Sequence, residues 1–221
     1  MNTWYLRFAV VILFVLWPCD GAGNGGRTYE SGKMRSSQTA AASFTDPRDN
    51  KTYRIVQIGN QIWMAENLNC QTGNSWCYDD NEANCTKYGR LYDWHTAVNA
   101  CPPGWKLPDD DDWYDLAHMV GGDSVAGIEL KSKNGWVSRS VSVPVVGTDD
   151  FGFSALPGGW RTIDGSNTYY TYLGNHGFWW SARENIDDIA YSLRVLYYSK
   201  RMHRLPDLKN RGLSVRCLKR D

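Results

Sequence analysis

The stretch CPPGWKLPDDDDWYDL, residues 101–116, sets a cysteine, two prolines and a Gly-Trp pair ahead of four consecutive aspartates, after which an apolar repeat begins. Four adjacent carboxylates read either as a site for a hard cation or as the first turn of a helix. The residues behind them decide. Trp113, Leu116, Ala117 and Val120 recur at i, i+3, i+4 and i+7, the spacing of an amphipathic helix, and Gly121-Gly122 closes it. Asp109, after Pro108, takes the N-cap position, where its carboxylate accepts from free backbone N–H groups. Asp112 stands where a capping box carries Glu or Gln. Acidic residues in a first turn also face the positive end of the helix dipole, worth about 0.3–1 kcal/mol each. A calcium loop would spread its ligands over alternate positions around a glycine, which this run lacks. The aspartates therefore predict a helix start.

Working outward, RLYDWHTAVNAC places Leu91, Trp94 and Val98 on one helical stripe and predicts a second, short helix. In KTYRIVQIGNQIWMAENL two apolar, β-branched runs flank Gly59-Asn60, a hairpin signal. NCQTGNSWCYDDNEANCTKYG is rich in Asn, Asp, Gly and Ser and reads as loop held by cysteines. Beyond residue 122 come short segments bounded by glycine. GIELKSKNGW carries a Trp after a turn, and VSVPVVGTDDFGFSALPGGW is mixed strand and loop. GFWWSAREN, IAYSLRVLYY and GLSVRCLKRD read as the last three strands. Tyr191, Leu193 and Val195 alternate with Ser192 and Arg194, and Leu213, Val215 and Cys217 with Ser214 and Arg216. That period predicts an antiparallel sheet buried on one face.

The length of 221 residues suits one domain plus a tail, and 24 Lys+Arg against 24 Asp+Glu argues against nucleic acid as a partner. With 11 Trp, 13 Tyr and 21 Gly, the composition favours a loop-rich α+β or all-β domain over a helical bundle. Residues 1–23 read as a signal peptide: Arg7, then an apolar run from Phe8 to Trp17, then small residues. That run is short for a membrane span, so no transmembrane segment is expected after its removal. Lipid anchoring at Cys19 is weighed against Pro18, which stands where a lipoprotein signal has a small residue. Residues 24–43 are polar and small and read as a flexible linker, so the folded domain is expected over 44–221. An exported chain meets an oxidising compartment. Cys77–Cys85 and Cys101–Cys217 are the favoured disulfides, with Cys70 left over; pairing of Cys70 with Cys77 or Cys85 stays open. The four histidines show no ligand spacing with cysteine, so no zinc site is expected.

YGRLYDWHTA, CPPGWKLPDDDDWYDL, LKSKNGW, DDFGFSALPGGWR, GFWWSA and the closing SVRCLK together resemble the major paralogous domain of Fibrobacter succinogenes, in order from about Phe44 to Lys219. That family is similar to C-type-lectin-like domains and to the formylglycine-generating branch of the same fold. The resemblance implies an α+β fold: two helices packed on a central antiparallel sheet, with long irregular loops carrying any ligand surface. It also supports the pairing of Cys101 with Cys217, and it implies exported proteins with no assigned activity.

Catalysis is not expected. The formylglycine-generating relatives use a late cysteine pair, whereas the late cysteine here, Cys217, is expected to be in a disulfide and so to be no nucleophile. GFSAL at 152–156 lacks the second glycine of a nucleophile elbow, and Asp149, Asp150, Glu184, Asp187 and Asp188 read as solvated loop acids. Binding asks for exposed aromatics and forked polar groups, because sugar rings stack on Trp and Tyr while Arg, Asn and Asp hold hydroxyls. GGWRTIDGSNTYYTYLGNHGFWW concentrates Trp160, Arg161, Tyr169, Tyr170, Tyr172 and Asn175 in what reads as glycine-rich loop, the expected ligand surface. Trp63, Trp94, Trp105 and Trp113, with Trp179 or Trp180, are expected in the core. The expectation is a non-catalytic binding protein at the cell surface, outside the cell or in the periplasm. Its partner would be plant-wall polysaccharide, suggested by the family's habitat, or an envelope protein. No cofactor is expected; calcium enters only through the lectin-like resemblance.

Overall fold

The computed structural model describes residues 42–137 and 146–220, all within one compact unit spanning 35–221. The signal peptide, Cys19 and all but the end of the linker expected at 24–43 lie outside the described residues.

The elements in chain order begin with β1 (Ser43–Thr45), β2 (Thr52–Ile58), β3 (Gln61–Met64) and β4 (Ser75–Trp76), then a 3-10 turn at Tyr78–Asp80 and α1 (Glu82–Tyr88). Next come β5 (Leu91–Tyr92), α2 (Trp94–Ala97), β6 (Trp105–Lys106), α3 (Asp110–Met119) and α4 (Asp123–Leu130). The C-terminal part is β7 (Gly158–Asp164), β8 (Asn167–Leu173), β9 (His176–Ile186), β10 (Ile189–Leu196), β11 (Met202–Leu208), β12 (Leu213–Ser214) and β13 (Leu218–Lys219). The strands form a five-stranded sheet ordered β1-β2-β3-β13-β6, a six-stranded sheet ordered β11-β10-β9-β12-β5-β4, and the separate hairpin β7-β8. The pairing is antiparallel except between β12 and β9.

The expected hairpin around Gly59-Asn60 is β2–β3, with Ile58 opposite Gln61. The expected helix after the aspartates is α3. Asp109 accepts from the N–H groups of Asp111 and Asp112 at 3.0 Å each, and Asp112 accepts from the N–H of Asp109 at 2.9 Å, a complete capping box. Asp112 also holds Lys106 at 2.8 Å, while Asp110 takes Ser181 Oγ at 2.7 Å and the Arg204 guanidinium. Asp111, 88% exposed, has only Arg183 at 3.7 Å. Three of the four carboxylates are thus committed to holding the helix in place.

Three expectations are corrected. Four α-helices are present among the described residues, not two. α1 is a polar helix of seven residues that buries only Cys85 and Tyr88, and it lies where loop was expected. α4 carries Gly127, which looks like a turn in the sequence. A Cβ there would stand 2.3 Å from the Arg201 carbonyl oxygen, so close packing is what selects the glycine. Second, Leu91 belongs to β5, where it pairs with Ser214, and only Trp94–Ala97 form the short helix.

Third, the β9–β10 layer is buried on both faces. Successive side chains of a strand point to opposite sides. Phe178 and Trp180 accordingly enter one core cluster with Tyr92, Trp94, Val215 and Cys217, and Trp179 enters another with Trp63, Trp113, Leu116, Leu193 and Val195. The tryptophans expected in the core, Trp63, Trp94, Trp105 and Trp113, are all buried, as are both Trp179 and Trp180. The C-terminal run from Leu213 to Leu218 is buried throughout, including Arg216. Cys101–Cys217 and Cys77–Cys85 are bonded, and Cys70 is buried and free. Among the described residues no helix is long and apolar enough to cross a membrane.

Candidate functional site

The segment expected to be an aromatic loop is the hairpin β7–β8, and its strand geometry divides the six candidate residues. Trp160 and Tyr172 face β9. The Trp160 ring stacks on Phe178 at 4.8 Å and meets Tyr172 edge-on at 5.3 Å. The Arg211 guanidinium lies over it at 4.3 Å, and buried Asp207 holds both Arg194 and Arg211 beside it. Tyr172, at φ 71, stacks on His176, which in turn stacks on Tyr197. Asn175 is buried. Its side chain donates to the Val137 carbonyl at 2.6 Å, and its backbone bonds Tyr172 and Tyr197. These three residues fasten the hairpin to the domain, Trp160 and Tyr172 through ring contacts and Asn175 through its amide.

Arg161 and Tyr170 sit directly opposite each other on the other face of the hairpin, next to the pair Ile163 and Thr168. The Arg161 backbone is pinned to Gly212 by two hydrogen bonds of 2.9 and 2.8 Å. Its guanidinium lies 3.9 Å from the centre of the half-buried Trp76 ring on β4, a cation–π stack. The Tyr170 hydroxyl donates to Asp80 Oδ1 at 2.7 Å, and its ring meets Tyr78 at 5.2 Å. Burial, then the Asp80 carboxylate, push this hydroxyl up to about 12 against the pull of Arg161. Asp79 and Asp80 both have left-handed backbones, φ 55 and 53, which Asp tolerates better than most residues. The Cys77–Cys85 disulfide and the Asn81 cap of α1 bracket this strained turn. The hairpin can approach only because Gly159 (φ 64) is a glycine: a Cβ there would stand 2.4 Å from the Thr171 carbonyl oxygen and 2.8 Å from the Tyr78 ring. Tyr169, opposite Thr162, is 47% exposed near the hairpin end.

Arg161 and Tyr170 are therefore brought together, and Trp76, Tyr78 and Asp80 join them from a segment whose composition reads as loop. The available signal was the short Cys77–Cys85 spacing, which closes a rigid loop around an Asp-Asp pair and places Trp76 at its edge.

Other clusters offer less. A cleft of about 290 Å³ is lined by Asp93, His95, Asp188, Leu208, Lys209 and Asn210. Two of its charged groups are engaged: Asp93 caps α2 through Thr96 at 2.8 Å and accepts from Asn74 at 2.7 Å, and Lys209 pairs with Glu184 and lies over Trp94. Asp46, Asp49 and Cys70 lie close enough to share an ion. However, Arg48 occupies both oxygens of Asp46, Lys51 pairs with Asp49, and burial raises the Cys70 thiol, so the cluster is internally neutralised. Cys77, Glu82 and Cys85 also cluster, but both sulfurs are in the disulfide. Of the loop acids, Asp149 accepts from the N–H and hydroxyl of Ser154 at 2.7 Å each, a turn-forming role.

Fold and site together define a disulfide-bonded domain of mixed helices and antiparallel sheets, with an aromatic and arginine-bearing face on a rigid hairpin. The family model of the Fibrobacter succinogenes major domain matches residues 56–219, and the chain belongs to that family. None of the curated proteins and none of the solved structures compared with the chain matches it.

Proposed function

We propose that this is an exported, non-catalytic binding protein of C-type-lectin-like fold, acting at the cell surface or outside the cell, and that the Arg161–Tyr170 face of the hairpin binds polysaccharide of plant-wall type. The observation that carries this reading is the convergence of Trp76, Arg161, Tyr170 and Asp80. Aromatic rings offer faces for sugar stacking, and a guanidinium, a hydroxyl and a carboxylate supply directed hydrogen bonds, the mixture that carbohydrate sites use. The platform is rigid, with a disulfide on one side and a paired hairpin on the other, which limits the ordering cost of binding. Two disulfides fit an oxidising, exported environment.

The test is affinity electrophoresis of the protein in gels containing cellulose derivatives, xylan or pectic polymers. At least one polymer should retard the wild type, and Trp76→Ala and Tyr170→Ala should each weaken retardation about tenfold or more. Trp160→Ala is expected to act through stability, because its ring is already packed on Phe178. If no polymer retards the protein while a pull-down recovers one envelope protein, a protein-interaction role replaces this reading.

A further inference from the structure

Among the described residues three arginines are buried, and their donors are treated differently. Arg216 distributes its N–H groups over Asn67 Oδ1 and the Met64 and Phe153 carbonyls. Arg90 has Glu82 at 3.6 Å and reaches Ser75. Arg161, only 8% exposed, has Thr168 Oγ1 on Nη2 at 3.3 Å and the Tyr170 hydroxyl beside its guanidinium, while Nε and Nη1 make no hydrogen bond. No carboxylate among the described residues stands within ion-pair distance of it; Asp80, in the same cluster, accepts from the Tyr170 hydroxyl. A buried cation with unmade donors is costly, and a fold keeps one most readily where something else completes it.

We propose that Arg161 recognises a carboxylate, so that the polysaccharide bound at the hairpin is an acidic, uronate-bearing one; this rests on the polysaccharide reading above. The chemistry fits. The unpartnered groups are donors only, whereas a neutral sugar hydroxyl presents both a donor and an acceptor. The stack on Trp76 fixes the guanidinium plane, and the fork of a guanidinium matches the two oxygens of a carboxylate. Nε and Nη1 are closed off from solvent, so the ligand enters by displacing Thr168, an exposed residue held to Nη2 by a single long hydrogen bond. Tyr170, directly opposite on the neighbouring strand, sets its hydroxyl beside the same guanidinium.

The experiment compares polygalacturonate with the same polymer fully methyl-esterified, and with neutral xylan, using the full chain in affinity gels. The acid form should bind at least tenfold more tightly than the ester and weaken steeply with added salt. Arg161→Gln should abolish that preference, and Arg161→Lys, which keeps the charge but loses the fork, should leave most of the loss in place. Equal retardation by acid and ester, or retardation by neutral xylan alone, would overturn the uronate assignment while leaving polysaccharide binding intact. Retardation by none of the three would remove the uronate assignment, and failure of cellulose derivatives to retard the protein as well would remove polysaccharide binding. Should Arg161→Gln fail to fold, the acid-against-ester comparison on the unaltered protein decides.

Discussion

Besides Arg161, two cations among the described residues, Arg216 and Lys131, are buried without an ion-paired carboxylate. Arg216 is fully buried, and burial brings its guanidinium down to about 9. Each of its three nitrogens nevertheless donates to oxygen: Nε and Nη2 to Asn67 Oδ1 at 3.1 and 2.8 Å, and Nη1 to Phe153 O at 2.6 Å and Met64 O at 3.1 Å. Asn67 Oδ1 also accepts from Trp179 Nε1 at 2.8 Å, so this single amide joins the C-terminal run to β9. Lys131, also fully buried, donates to the Ser199 carbonyl at 2.8 Å and, more weakly, to that of Tyr197 at 3.4 Å. Burial lowers its ammonium from 10.5 to about 8. Between those values the unfolded chain holds a proton that the folded chain does not, so raising the pH through the window favours folding. Stability to urea should therefore rise between about pH 8 and 10, a range in which burial keeps the Tyr53 and Tyr92 hydroxyls protonated in the folded protein. In Lys131→Met that rise should be smaller, by the lysine's share. Identical pH slopes for the two proteins would show that Lys131 titrates normally.

At the scale of elements, the aspartate run separates capping from mere acidity. Asp109→Ala removes the acceptor of two backbone N–H groups at the start of α3 and should cost about 1 kcal/mol in denaturant unfolding. Asp111→Ala, one turn position away and exposed, should stay within about 0.5 kcal/mol of the wild type. Equal losses for the two would mean that the dipole term rather than the cap dominates. α3 was legible because it has ten residues, a cap and an unbroken apolar stripe. α1 and α4 were not. α1 is too short and polar to show a period, and α4 contains a glycine whose reason lies in the Arg201 backbone packed against it. The hairpin β7–β8 was hidden in the same way, since its glycines, aromatics and polar residues look like loop until register pairs them.

Across the whole molecule, the two disulfides close loops of very different length, with sequence separations of 8 and 116. On a chain-entropy account the short one is worth about 2.5 kcal/mol and the long one about 5 kcal/mol. Replacing Cys101 and Cys217 together by alanine should thus lower stability by roughly twice as much as replacing Cys77 and Cys85, by the same account. The short bond is expected to matter more for ligand retention, because it brackets the turn that presents Asp80 to Tyr170. What the sequence by itself determined were local matters: the α3 cap, the β2–β3 turn, the burial of Trp63, Trp94, Trp105 and Trp113, and the motifs that mark the family. These depend on contacts a few residues apart or on hydrophobicity alone. Only the tertiary structure decided that β9 and β10 are buried on both faces, that Trp160 packs inward on Phe178, and that Arg161 meets Trp76 and Tyr170 meets Asp80, 85 and 90 residues away in the chain. Strand alternation gives each residue a face, but which surface covers that face is set by long-range pairing, and no local period in the chain encodes it.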